Sequence, residues 1–205
     1  MGSWEHDPAE RTVEHRRPLE PDPDNAGGGK KVNQKTPVSI SRTRIVALTS
    51  VLAALIAVGT IIAIPMPFPL AAITLAPIII FVTSILLGPA AGLISSAIGS
   101  AIGYSFGSTL GTIAGGFSYW FLFGIVVARG PMGFSVGLLR KKNEIIAMIL
   151  GVAVETLLFF GLDFYALGFG TAILDFGTLV DLVFVPVSYG ILMAVRRNLN
   201  LTYLA

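Results

Sequence analysis

Four carboxylates, Glu155, Asp163, Asp175 and Asp181, stand in the last third of the chain among residues that are almost all apolar. An acid inside a membrane span is costly and marks a binding or proton-handling position. Glu155 and Asp163 share one apolar stretch, Asp175 and Asp181 the next. At 1.5 Å per helical residue, Asp181 lies roughly 9 Å inward of Asp175 and Glu155 roughly 12 Å inward of Asp163. Running antiparallel, the two stretches set Glu155 and Asp181 at one depth and Asp163 and Asp175 at a shallower one. With no base read among them, the four predict a cavity attractive to a cation, or a protonatable set. The competing reading makes Asp163 and Asp175 interfacial groups, with Asp175 favouring a helix N-terminus. Glu155 and Asp181 are harder to explain in that way.

Aromatic residues gather in the same part of the chain: Phe159, Phe160, Phe164, Tyr165 and Phe169, with Tyr119, Trp120 and Tyr104 on preceding stretches. Rings of this kind hold a flat cationic ring by dispersion and cation–π attraction. An interfacial aromatic belt is the alternative, and it suits Phe164 and Tyr165. Trp120, read as lying in mid-span, is too deep for a belt and is the better ligand candidate.

Enzymatic chemistry finds little support. The chain contains no cysteine, and both histidines, His6 and His15, precede the apolar region. Thiolate metal sites, cysteine nucleophiles and a histidine-based metal site or general base are therefore not expected, and neither is a bound cofactor. The phosphate-binding pattern G-x-x-x-x-G-K-[ST] is absent, and Lys30 and Lys31 follow glycines out of that frame. A paired-aspartate protease using Asp163 and Asp181 lacks the Gly-x-Gly-Asp signature of such enzymes. Asn200-Leu201-Thr202 matches a glycosylation triplet but falls on the predicted inner side.

The elements that must position these groups divide the chain in two. Over all 205 residues 54% are hydrophobic and 13% charged, and the mean hydropathy is +0.78; ordinary soluble chains carry about 25% charged residues. Residues 1–41 nevertheless hold seven of the twelve acids, six of the fourteen Lys and Arg residues, five prolines and Gly27-Gly28-Gly29. That composition buries no core and predicts a disordered arm with neither a secretory signal nor a myristoylation start. Residues 42–205 read as six spans of about 20 residues each: Ile45–Ile64, Ala71–Leu87, Ala90–Phe106, Thr109–Ala128, then 144–163 and 172–195 with Pro186 as a kink. The prolines of Pro65-Met66-Pro67-Phe68-Pro69 impose a loop, and Gly88-Pro89 breaks the second span from the third. From residue 45 onward the bases are Arg129, Arg140, Lys141, Lys142, Arg196 and Arg197. With both termini inside, the inner segments 1–44, 88–89, 129–143 and 196–205 contain every Lys and Arg of the chain. Basic loops keep to the cytoplasmic side, so the fold class expected is an all-α membrane protein. It is a six-transmembrane-helix bundle, N-in and C-in, in the cell membrane, and nothing points to nucleic acid.

Small residues indicate where helices touch. Ser95, Gly99, Gly103, Gly107, Gly111 and Gly115 recur every fourth position and predict close packing of the third span on the fourth. In the first span Ser50 and Ala54, and likewise Ala53 and Ala57, form small-x-x-x-small pairs. These fit bundle packing or a docking groove for another subunit equally well.

Four passages in order carry a family resemblance: Arg44-Ile-Val-Ala-Leu-Thr-Ser-Val-Leu-Ala-Ala-Leu, the stretch Ile64-Pro-Met-Pro-Phe-Pro-Leu-Ala-Ala-Ile-Thr-Leu-Ala-Pro77, then Leu87-Gly-Pro-Ala-Ala-Gly92, then the Gly-rich third span. With six spans and an inner N-terminus, the region 42–196 resembles the substrate-binding S components of energy-coupling factor (ECF) transporters. The resemblance implies a binding subunit, not an enzyme, that captures a vitamin or related micronutrient from outside. It implies a membrane-embedded T subunit and two ATPase subunits as partners, and toppling in the membrane to release substrate inwards. It assigns T-subunit docking to Ser50/Ala54 or Ala53/Ala57, and a gate to the loop holding Pro65, Pro67, Phe68 and Pro69. By region it places substrate contacts at Trp120, Glu155, Asp163, Asp175 and Asp181, to which the aromatic reading adds Tyr104 and Tyr119. The Met-His start of metal-transporting relatives is missing, which disfavours nickel or cobalt and leaves a small, possibly cationic organic nutrient. The alternative is a small proton-coupled carrier using Glu155 or Asp181.

Overall fold

A computed structural model of the chain describes residues 42–64, 73–113 and 116–199. The predicted arm at 1–41, the loop prolines with Phe68, Gly115 and Asn200 lie outside these residues. The described chain is helical except for one small ribbon. Helix α1 (Arg42–Ile61) leads into strand β1 (Ala63–Ile64), which pairs antiparallel with β2 (Ile73–Thr74), Ala63 opposite Thr74 and Ile64 opposite Ile73. There follow α2 (Ala76–Leu87), α3 (Pro89–Thr109), α4 (Tyr119–Leu139) and α5 (Glu144–Leu167). The chain ends in a short α6 (Phe169–Ala172), a 3-10 helix (Ile173–Val183) and α7 (Phe184–Leu199). Among the described residues, four helical stretches are long and apolar enough to cross a membrane: Thr43–Ile61, Tyr119–Leu139, Glu144–Leu167 and Phe169–Asn198. The architecture is that of an all-α membrane protein.

Local chemistry explains the boundaries. Gly88 adopts φ 96°, which only glycine takes easily, and its N–H returns to the Ser84 carbonyl at 3.0 Å, closing α2. Pro89 then opens α3, where its missing N–H costs nothing. The corner is sealed by Arg140 at the end of α4, which donates to the carbonyls of Ile85 at 2.9 Å and Leu86 at 3.1 Å. Asn143 caps α5 by accepting from the amides of Ile145 and Ile146. Packed between α1, α3, α4 and α7, α2 carries the centre of the core, where Ile80 and Phe81 meet Ile56, Met132, Met148 and Leu192.

Several predicted boundaries move. The second span begins at Ala76 rather than Ala71, and α3 continues past Gly107-Ser108 to Thr109. The largest change is the fourth span, expected at 109–128 and found at Tyr119–Leu139. The predicted basic loop 129–143 therefore shrinks to the few residues between α4 and α5, and Arg129 moves inside a helix. Gly130-Pro131 has the composition of a turn, yet Pro131 lies within α4. Pro186 sits in the first turn of α7, where proline is tolerated.

The glycine stripe packs within the chain, but chiefly against α1 rather than the fourth span. A Cβ on Gly99 would stand 2.5 Å from the Ala53 carbonyl oxygen, and one on Gly103 would stand 2.5 Å from that of Ala57. Contact between α3 and α4 uses another pair: a Cβ on Gly92 would meet the Gly133 carbonyl at 2.6 Å, and one on Gly133 that of Gly92 at 2.5 Å. In lipid, where burial of apolar surface gives no net drive, backbone approach of this closeness supplies the packing. Gly103→Val should lower the thermal midpoint in detergent, at a cost of about 1–3 kcal/mol for overpacking. Gly161→Ala, where an added Cβ meets nothing within 4 Å, should be neutral or mildly stabilising. Equal midpoints for the two variants would remove the close-contact account.

Candidate functional site

At the eleventh of the 21 residues of α4, Arg129 projects into the bundle and is 9% exposed. Its Nε–H donates to Glu155 Oε1 on α5 at 3.1 Å. Its Nη1 reaches Thr60 Oγ1 on α1 at 3.3 Å and Ser100 Oγ on α3 at 3.4 Å, and its Nη2 reaches Thr74 Oγ1 on β2 at 3.0 Å. Thr60 turns its own hydroxyl proton back to the Ile56 carbonyl at 2.9 Å, so its oxygen lone pairs face the guanidinium. One planar fork thus ties five elements together, a geometry that a lysine ammonium does not supply.

Contrary to the expectation of acids without a base, Glu155, 1% exposed, pairs with Arg129. Glu155 Oε2 is buried and has no hydrogen-bond partner among the described residues. Asp181, also buried, stands close enough to feel the charges of both Glu155 and Arg129. The 3-10 geometry brings it there. At 3.0 residues per turn, Asp175, Thr178 and Asp181 lie on one line, whereas an α-helix would set Asp175 and Asp181 about 120° apart. Thr178 holds the line against α5 through a 2.7 Å hydrogen bond with Thr156. With a rise of about 2.0 Å per residue, Asp181 is roughly 12 Å from the level of Asp175 rather than 9 Å.

A second cross-link joins the same two helices nearer their other ends. Trp120 Nε1 donates to Asp163 Oδ1 at 3.1 Å, and the Trp120 ring lies 6.0 Å from that of Phe123. Because α4 starts at Tyr119, Trp120 sits in its first turn and not in mid-span. Asp163 is buried, and Asp175 is half-buried and within range of its charge. The ring of Phe160 packs on Phe164 and Phe176, at 6.0 and 5.5 Å between centroids. Two predicted residues fall elsewhere. Tyr119 is 81% exposed. Tyr104 is buried, but its hydroxyl donates to the Gly116 carbonyl and accepts from the Ser118 amide, closing the α3–α4 connection.

Residues 40–188 match the family described as ECF-type riboflavin transporter, S component. The chain belongs to this family. No curated protein and no solved structure matches it. The S component is a multi-pass membrane protein and a substrate-binding subunit, and its family is not one of enzymes. The four small residues proposed for docking separate on α1. Ala57 is 6% exposed and packs on Gly103, and Ala53 is half-buried with its carbonyl against Gly99. Ser50 and Ala54 are exposed on the outer surface of the same helix.

Sequence reading missed Arg129, Thr60, Thr74 and Ser100. The usable signal was the run Tyr119–Phe134, in which Arg129 is the lone charge in an apolar stretch of helical length. Arg129→Met should destabilise the protein by about 3–5 kcal/mol, since it leaves Glu155 buried without its partner. Arg129→Met combined with Glu155→Met should recover most of that loss in a detergent melt. A wild-type midpoint for the single variant would show that the pair holds nothing together.

Proposed function

We propose that this S component captures riboflavin or a close flavin from outside the cell and passes it inward in complex with a T subunit and two ATPases. The match to the riboflavin S-component family across residues 40–188 carries this reading. The site's chemistry supports it. A flavin is a flat, uncharged tricycle with a polar edge and a polyol tail. It suits an aromatic wall next to buried hydrogen-bonding groups better than it suits bare charges. The pairing of Glu155 with Arg129 removes the reason for a cationic nutrient, because the acids are no longer without a base. The bundle reads as six spans, N-in and C-in, with α2 and α3 as the two that fall short in length or apolarity.

For the T subunit we take the Ser50/Ala54 face of α1. Ala53 and Ala57 are engaged by α3, so the exposed pair is the one left to accept a partner helix at close range.

Titrating the purified protein with riboflavin should quench flavin fluorescence with one-to-one saturation, and excess thiamine should not reverse it. Absence of saturable quenching, or displacement by thiamine, would overturn the flavin reading. When the protein is co-expressed with the T subunit and ATPases, Ser50→Leu with Ala54→Leu should abolish co-purification while leaving riboflavin quenching intact. Assembly that survives both bulky changes would place docking elsewhere.

A further inference from the structure

Where α4 turns into α5, beside the end of α7, five bases face a single acid among the described residues. Arg140, Lys141 and Lys142 occupy the turn, and Arg196 and Arg197 the last turn of α7. Two cross-links hold these ends together. Arg140 donates to the carbonyls of Ile85 and Leu86 that close α2, and Arg196 Nη2 donates to Glu144 Oε1 at the start of α5 at 2.5 Å. The second bond draws the end of α7 to a residue two positions from Lys142. It also engages Glu144, the one acid of the corner. Lys141, Lys142 and Arg197 are left exposed, with no ion pair among the described residues. Like charges gathered in this way repel one another, and an anion relieves the repulsion. The N-terminal amides of α5 are not the attraction, because Asn143 Oδ1 already accepts from Ile145 and Ile146.

The side chains next to these cations define what carries the anion. Exposed apolar residues begin within two helical turns of them on all three helices: Leu138 on α4, Ile145, Ile146 and Ile149 on α5, and Met193 on α7. A soluble anion uses the cations alone, whereas an amphiphile uses cations and apolar faces together. We infer that this corner is a binding site for an anionic phospholipid. Lys141, Lys142 and Arg197 hold the phosphate, and the acyl chains lie along the exposed faces of α4, α5 and α7. Lysine presents a point charge on a flexible stem, so the site reads the negative charge of the headgroup more than its shape. A lipid held there bridges the α4–α5 turn and the end of α7, which the Glu144–Arg196 pair alone joins by side-chain ion pairing among the described residues. Such a ligand binds the folded bundle in preference to an opened one and stabilises it. The site is separate from the Ser50/Ala54 face of α1 and from the Arg129 network, and it depends on neither the flavin nor the docking assignment.

The test titrates the purified full chain in detergent with phosphatidylglycerol or phosphatidylcholine, counting retained lipid by native mass spectrometry and following the thermal midpoint. Wild type should retain phosphatidylglycerol under conditions that strip phosphatidylcholine, and only the anionic lipid should raise the midpoint. Lys141→Gln combined with Lys142→Gln and Arg197→Gln should weaken phosphatidylglycerol binding roughly tenfold to a hundredfold. Its midpoint in lipid-free detergent should stay at the wild-type value. Arg44→Gln, which removes an exposed base at the start of α1, should change that binding by no more than about twofold. Equal retention of the two lipids by wild type would overturn the inference with no variant needed. Wild-type retention by the triple variant would also overturn it. A loss in Arg44→Gln as large as that in the triple variant would show diffuse attraction in place of a site. Displacement of the lipid by an equal concentration of inorganic phosphate would assign the cations to a soluble anion and overturn the lipid assignment.

Discussion

A guanidinium held in the middle of an apolar bundle is expensive, and the rest of this structure is arranged around meeting that cost. Removing an ion pair from water costs several kcal/mol per ion even after relaxation, and the pair repays it only if nearly every donor is satisfied. Arg129 meets the condition through a carboxylate and three hydroxyls drawn from four other elements. The arrangement cannot be built by α4 and α5 alone. It requires the end of α1, the second strand of the ribbon and the middle of α3 to converge on one point, so the position of Arg129 reports on the register of most of the bundle.

That convergence depends on the small residues. Thr60 and Ser100 can face the same nitrogen only if α1 and α3 approach more closely than ordinary side chains allow. The glycines at 99 and 103 permit it: a Cβ on Gly103 would stand 2.5 Å from Thr60 Cβ. The glycines at 92 and 133 do the same for α3 against α4. The stripe is therefore not only a packing device, because it sets where the hydroxyl partners of the guanidinium stand. The same engagement uses up Ala53 and Ala57 and leaves Ser50 and Ala54 as the free small pair on α1.

Much of the fold was legible in the sequence, and what was not has identifiable physical causes. Helices α1, α3 and α5 lie within a few residues of their predicted bounds, and the marked ends are Gly88-Pro89 before α3, the Asn143 cap of α5 and Gly168 after it. The displacement of α4 came from ending the fourth span before Arg129 and counting 129–143 as a basic inner segment, whereas the helix runs on through Arg129 and Pro131 to Leu139. Placing Arg129 in a loop then made the charge segregation look complete and left the acids without a base. That Glu155 and Asp181 lie within range of one another's charge was readable from depth, whereas the bond from Trp120 to Asp163 was not, because it depends on where α4 begins. For Tyr104 the sequence offers no way to tell a ring that holds a ligand from one whose hydroxyl closes a loop.

The 3-10 helix is the element no sequence rule would have chosen, and it decides which acids share the site. Eleven residues in this geometry are unusual, since its hydrogen bonds are poorer than those of an α-helix and runs beyond a single turn are uncommon. The gain is alignment. Three residues per turn stack Asp175, Thr178 and Asp181 along one edge, and the longer rise lets six residues there cover about the same distance as eight residues of α5. An α-helical version of the same sequence would match neither the spacing from Glu155 to Asp163 nor the direction of both aspartates, and it would turn Asp181 away from the line on which Thr178 meets Thr156. The irregular segment therefore does for spacing what the glycine stripe does for distance. One matches the step of two helices of different pitch, and the other lets two helices of equal pitch touch. The polar floor around Arg129 exists only where both conditions are met.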